Sequence, residues 1–219
     1  MEIWRITWFT VLCAAASTAI VLPPGVGLAW LLARRRFRGR TLVETLVSMP
    51  LVMPPVATGL ILLMLLSRRG VVGQLLDRAG IDVVFTWKAV VLAMGIMGLP
   101  LLVRTARAGF EQIDVRYEQV AATLGARPLR VFLTVSLPLA WPSVLAGAVL
   151  AFARALGEFG ATIVVAGSIP GVTRTLAVAI YTDAETGHDA RALTLLLISV
   201  AIAFAAMWAS NRLVERRPA

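Results

Sequence analysis

Residues Ala192 to Ala209 read ALTLLLISVAIAFAAMWA, eighteen positions without one charged side chain. A soluble helix needs a polar stripe, and none is present here. Wound as an α-helix the run extends about 27 Å, close to the roughly 30 Å of a bilayer's hydrocarbon core. Leu46–Leu66 is equally free of charge. Working outward, Trp8–Leu32, Val84–Val103 and Leu137–Ala153 are further apolar runs of spanning length.

Composition agrees with a bilayer environment. The chain is 59% hydrophobic and 15% charged, with a mean hydropathy of +0.84, outside the range of soluble domains. The expected fold is all-α: a polytopic membrane protein of about five transmembrane helices in a single unit, residues 1–219. The first apolar run extends past Leu28 to Leu32 with no small-residue cleavage site, so it reads as a retained span. A net charge of +9 would favour nucleic acid in a soluble protein, but these arginines sit between apolar runs, where they act as topology signals, and no nucleic-acid partner is expected. Cys13 is the single cysteine and supports no disulfide framework.

Prolines punctuate two spans. Pro23-Pro24-Gly25 lies in the first, and Pro50 with Pro54-Pro55 in the second. Missing backbone donors predict kinks, which suit a chain that lines a pathway better than a simple anchor. Leu156–Tyr181 is apolar but broken by Gly157, Gly160, Gly167, Pro170 and Gly171. It predicts a partly embedded outer segment, with a sixth span as the alternative.

Orientation follows from the basic residues. Arg34, Arg35, Arg36, Arg38 and Arg40 follow the first span, Arg104, Arg107, Arg116, Arg127 and Arg130 the third, and Arg212, Arg216 and Arg217 the fifth. These are 13 of the 21 basic residues. The positive-inside rule then puts the N-terminus outside and the C-terminus in the cytoplasm.

The loop after the third span, about residues 114–138, has its own helical pattern. Asp114 can cap a helix, Tyr117, Val120, Ala121 and Leu124 recur on one face, and Gly125 can end it. Pro128 can open a second short helix bearing Leu129, Phe132 and Leu133. The pair could simply rest on headgroups.

Gln119-Val120-Ala121, then Gly125, then Val135-x-Leu137-Pro138, resembles the EAA loop of binding-protein-dependent ABC importers, with the spacing kept at each step. The resemblance implies a coupling helix that docks on a cytoplasmic ATPase subunit, with Tyr117, Glu118, Gln119, Val120, Ala121, Leu124, Gly125 and Pro138 as docking residues. Small Ala121 and Gly125 allow close approach, and Tyr117, Val120 and Leu124 can fill a groove. Gln119 replaces the family's glutamate. Glu118 is one residue away, about 100° around the helix, and cannot simply take its place.

No ATPase is legible in the chain itself. A P-loop needs Lys-Ser or Lys-Thr after a glycine-rich turn, whereas the only lysine, Lys88, lies between Trp87 and Ala89. His188 is the only histidine and reads as a loop residue, so no catalytic or metal site is expected. ATP and magnesium belong to the partner ATPase on this reading, and no cofactor to this chain.

Arg154-Ala155-Leu156-Gly157-Glu158-Phe159-Gly160-Ala161-Thr162, Thr173-Arg174-Thr175 and Ser48-Met49-Pro50 through Pro54-Pro55 look like the molybdate and sulfate permeases. The resemblance implies a bacterial cytoplasmic (inner) membrane protein, a homodimer with two ABC ATPase subunits and an extracytoplasmic oxyanion-binding protein. Sulfate-type permeases usually carry an added N-terminal span, which favours molybdate or tungstate over sulfate or thiosulfate. Pathway or gate candidates are Ser48, Pro50, Pro54, Pro55, Arg154, Glu158 and Gly160.

Arg154 and Glu158 are one helical turn apart and can form either a charged gate element or a structural ion pair at the Gly157 bend. Ser143, Gly147, Ala151 and Ala155 make a small-residue ridge suited to intrachain packing or to a dimer seam. An ion-driven secondary transporter is the alternative of another class, and it would show internal repeats and more intramembrane acids.

Overall fold

The computed structural model describes residues 2–215; Arg216 and Arg217 of the orientation argument lie outside the described residues. The elements in order are α1 (Glu2–Arg34), α2 (Arg40–Val52), α3 (Pro55–Leu66), α4 (Val71–Arg78), α5 (Trp87–Gln112), α6 (Val115–Thr123), α7 (Pro128–Val131), a π-helical turn (Phe132–Ser136), α8 (Leu137–Leu156), α9 (Gly160–Val165), α10 (Leu176–Glu185) and α11 (Asp189–Glu215). Among the described residues four helices are long and apolar enough to cross a membrane: α1, α5, the continuous helix Pro128–Leu156, and α11. The pair α2 and α3 makes a fifth crossing only if taken together.

The central element is α5, packed between α1 and α8, with Ala89, Val90, Met94, Met97, Leu102, Ala106 and Phe110 buried. Lipid is as apolar as leucine, so helix association in a bilayer depends on close backbone approach. Small residues provide it. A Cβ on Gly98 would stand 3.1 Å from the Ala151 carbonyl oxygen, and one on Gly147 3.0 Å from that of Leu102. A side chain at Gly109 would collide with Ser143. The ridge Ser143, Gly147, Ala151, Ala155 thus packs within the chain, against α5. By contrast α11 exposes Leu193, Leu196, Leu197, Val200, Phe204 and Trp208.

The second apolar run is not one crossing helix. Its helices α2 and α3 meet at 114°, and α3, twelve residues or about 18 Å, is too short to span alone. The cause is the proline pair. A residue before proline is pushed into the extended region. Met53 (φ −70°, ψ 148°) and Pro54 (φ −54°, ψ 130°) are both so placed, and Pro55 then opens α3 at its first turn. The first run is not interrupted in this way: α1 continues as one helix through Pro23 and Pro24. Leu156–Tyr181 contains α9 (six residues) and the start of α10, neither of crossing length, both with buried faces. Both pack into the bundle, and among the described residues this stretch supplies no helix of crossing length.

The arginine-rich segments gather at one end of the bundle, where Arg34 contacts Glu118, Arg40 contacts Glu111 at 3.9 Å, and Arg107 pairs with Glu44 at 2.5 Å. At the other end Arg191 pairs with Glu2 and Asp183, each at 3.0 Å, and the buried Thr10 hydroxyl accepts from the Leu176 N–H at 2.9 Å.

Candidate functional site

The loop after α5 folds by local chemistry. The Asp114 carboxylate accepts from the Arg116 N–H at 2.9 Å and opens α6. Gly125 ends it with φ +84°, and two closing bonds run from Gly125 N–H to the Ala122 carbonyl and from Ala126 N–H to the Ala121 carbonyl. This is the Schellman pattern, which requires a left-handed residue at the position of Gly125. A Cβ there would meet no atom within 4 Å.

Tyr117, Val120 and Leu124 lie on one side of α6, and all three are exposed, Leu124 by 84%. Leu129 and Leu133 continue the apolar surface. Gln119 is exposed as well, Ala121 is half-buried, and Gly125 lies at the end of α6. A row of large apolar side chains facing outward, from a helix too short to be stable alone, is a surface shaped for a protein partner.

Glu118 points the other way. Its Oε1 accepts from Arg34 Nε at 2.8 Å and from Ser136 Oγ at 2.7 Å, while Arg34 also donates to the Ile113 carbonyl at 3.1 Å. The Arg34 and Glu118 side chains are 10% and 15% exposed and Ser136 is fully buried, so the carboxylate is committed inside the chain. Glu118 therefore braces α6 against the end of α1 and the base of the next span, and does not sit on the exposed face with Tyr117.

The second short helix does not exist as a separate piece. From Pro128 the chain runs through α7 and the π turn into α8 as one helix of 29 residues. The π register appears where Leu137 N–H bonds Phe132, just before Pro138, whose nitrogen has no proton to give. Pro138 thus lies about 15 Å along this helix from Pro128, away from the α6 row.

The pathway candidates form a second group. Pro55 and Gly160 touch: a Cβ on Gly160 would stand 2.7 Å from Pro55 Cβ, and one on Gly59 2.8 Å from the Ala161 backbone, so α3 lies directly on α9. Glu158, 1% exposed, accepts from the Ala161 N–H at 2.7 Å, and Arg154 approaches its other oxygen at 2.7 Å, off the hydrogen-bonding direction. The pair therefore anchors α9 to the end of α8. Beside it the buried hydroxyls of Thr58 and Thr162 have no hydrogen-bond partner among the described residues. Pro54 sits in the break itself and Pro50 one turn before it.

Ser48 lies apart from that group. Its hydroxyl accepts from Arg104 at 3.1 Å. Arg104 has no carboxylate within ion-pair reach among the described residues, whereas Arg107, one turn on, holds both Glu44 and Glu111. Residue types on one helix gave no sign of Arg34, Ser136, Thr58, Thr162 or Arg104 as site members; only the spacing of Arg104 and Arg107 within a spanning helix could have marked the last. Among the described residues the His188 ring hydrogen-bonds only Thr186, at 2.8 Å on the surface.

The profile of the family "Binding-protein-dependent transport system inner membrane component" matches residues 25–218. The chain is 43% identical over 214 residues to "Molybdenum transport system permease protein ModB" of Escherichia coli (strain K12), covering 97% of this chain and 93% of that protein. It is 49% identical over 189 residues to the protein of that name from Mycobacterium tuberculosis, covering 86% and 72%. "Sulfate transport system permease protein CysT" of Salmonella typhimurium is 36% identical over 192 residues, covering 88% and 69%. Among solved structures, a bacterial ABC transporter involved in the import of the acidic polysaccharide alginate superposes with TM-score 0.75 at 18% identity, covering 98% of this chain and 79% of that one.

Proposed function

The chain belongs to the binding-protein-dependent transport system inner membrane component family, and on that premise we propose that it forms the pathway of an ATP-driven molybdate importer, with tungstate as a chemically close substrate. It is a multi-pass inner-membrane permease subunit, not an enzyme in its own right. The observation that carries the substrate is the near full-length likeness to molybdenum permeases, greater in identity and in coverage of the relative than the likeness to the sulfate protein.

A tetrahedral dianion cannot cross hydrocarbon unaided, since an unpaired ion buried there costs tens of kcal/mol on the idealised scale. Four crossing helices and one broken pair enclose little space alone. A homodimer with the route on its two-fold axis answers this, using the unpaired apolar faces of α2, α3 and α11. Two ABC ATPase subunits, holding ATP and magnesium, dock on the Tyr117–Val120–Leu124 row of each copy, and an extracytoplasmic binding protein delivers the anion. The ATPase pushes on α6; the Glu118 brace passes that displacement to α1 and to the base of the Pro128–Leu156 helix. At that helix's far end Arg154 and Glu158 hold α9 against the broken span, so the same rod reaches the Pro55–Gly160 contact. Arg104 and Ser48 offer a cation and a hydroxyl to an oxyanion on the inner half.

The test is reconstitution of the chain with its ATPase and binding protein in vesicles. Molybdate should accumulate only when ATP is supplied on the ATPase side. Accumulation driven by an ion gradient without ATP would replace the proposal with the secondary-transporter reading.

A further inference from the structure

At the outer end of α1 lies a cavity of about 510 Å³ that the transport reading leaves unused, lined by Arg5, Trp8, Phe9, Leu12, Gly171 and Arg174 among others. That volume falls within the roughly 300–1,000 Å³ of ordinary small-molecule sites. Its walls are apolar and its charged groups are unevenly matched. Glu2 also lines it, but Glu2 is engaged by Arg191 at 3.0 Å. Arg5 has no ion-pair partner among the described residues, and Arg174 donates only to the neutral Ser168 hydroxyl at 3.2 Å. Gly171, with φ +77°, brings the loop to the Arg5 guanidinium: a Cβ built on it would stand 3.8 Å from Arg5 Nη2.

A second observation fixes the depth of this cavity. Trp4 and Trp8 stack with ring centroids 6.3 Å apart, and both are exposed, by 70% and 55%. Exposed tryptophans at the end of a spanning helix mark the headgroup level, where the indole sits half in lipid and half in water. Two uncompensated guanidinium groups therefore stand at the height of lipid phosphates, above an apolar wall of Phe9 and Leu12 running down the span. Guanidinium binds phosphate through two parallel hydrogen bonds, while the wall suits an acyl chain.

From this arrangement we infer that the cavity binds one anionic phospholipid of the outer leaflet, its phosphate held by Arg5 and Arg174 and its first acyl segment against Trp8, Phe9 and Leu12.

Native mass spectrometry of the purified, detergent-solubilised protein tests this, titrated with phosphatidylglycerol, with phosphatidylcholine and with inorganic phosphate. The wild type should retain one phosphatidylglycerol per chain in preference to phosphatidylcholine. Arg5→Gln should weaken retention about fivefold and Arg5→Gln with Arg174→Gln more than tenfold, from about 1 kcal/mol per basic residue at a membrane surface. Melting of the lipid-free variants serves as the folding control, and Arg5→Gln, whose arginine has no side-chain hydrogen bond or ion pair among the described residues, carries the test if the double variant melts early. Equal retention by wild type and Arg5→Gln, equal retention of the two lipids, or competition by inorganic phosphate at the same concentration would each overturn the lipid assignment. So would undiminished phosphatidylglycerol binding in a variant that had lost stimulation by the binding protein, which would give the surface to that partner.

Discussion

Removing the Glu118 carboxylate separates the brace from the exposed docking row. In Glu118→Ala, Arg34, 10% exposed, loses its counter-charge, and the fully buried Ser136 hydroxyl loses its acceptor. Breaking one side of a buried, hydrogen-bonded pair costs about 3–5 kcal/mol. The residual exposure at this end of the bundle favours the lower figure, about 3 kcal/mol. The nine residues of α6 bury none of their side chains fully, so the loss should appear as local opening and not as unfolding of the spans. At about 1.4 kcal/mol per factor of ten, amide exchange across residues 118–126 should accelerate by about 100-fold, while the amides of α5 stay protected. Arg34→Leu with Glu118→Leu should exchange more slowly than either single change, because neither charge is then stranded. Exchange in Glu118→Ala within threefold of wild type would refute the brace.

Four further outcomes follow. Gly125→Trp should abolish ATP-coupled uptake and ATPase co-purification while the chain stays inserted; Gly125→Ala, with open space around its Cβ but φ +84°, should cost only about 1–2 kcal/mol in the stability of α6. Gly160→Leu should stop transport by driving α9 from Pro55, whose Cβ is 2.7 Å from the first added atom, with about 1–3 kcal/mol lost in thermal denaturation. Arg104→Gln should slow molybdate uptake about tenfold and Arg104→Lys much less, the exposed charge contributing between about 1 and 4 kcal/mol at contact distance; equal slowing by both would remove the charge argument. For topology, Gly39→Cys should be shielded from an impermeant thiol reagent in intact cells and Gln74→Cys should react, both read in a Cys13→Ala background. Gly73 cannot serve as the outer reporter, because an added side chain there runs into the Ser67 carbonyl.

What was legible in the sequence was whatever rests on neighbours in the chain. Asp114 and Gly125 bound α6 because a cap and a left-handed stop act within one turn, and Pro54-Pro55 breaks the second run because each proline restricts the residue before it. The merger of the second loop helix with the fourth span was hidden because hydropathy falls at Arg130 and Thr134, which marks polarity and says nothing of where helical bonding ends. The brace was hidden for another reason: Arg34 and Glu118 are 84 residues apart, and only the close packing of α1 and α8 against α5 brings them together. Thr58 and Thr162 are ordinary residues until Gly59 and Gly160 let α3 and α9 touch.

The most direct test of the central claim is competition in reconstituted vesicles containing the permease, its ATPase and its binding protein. Uptake of labelled molybdate, driven by ATP, should persist in equimolar sulfate and fall when equimolar tungstate is added. Strong inhibition by equimolar sulfate, with sulfate itself accumulated, would contradict the molybdate assignment and move the chain to sulfate import.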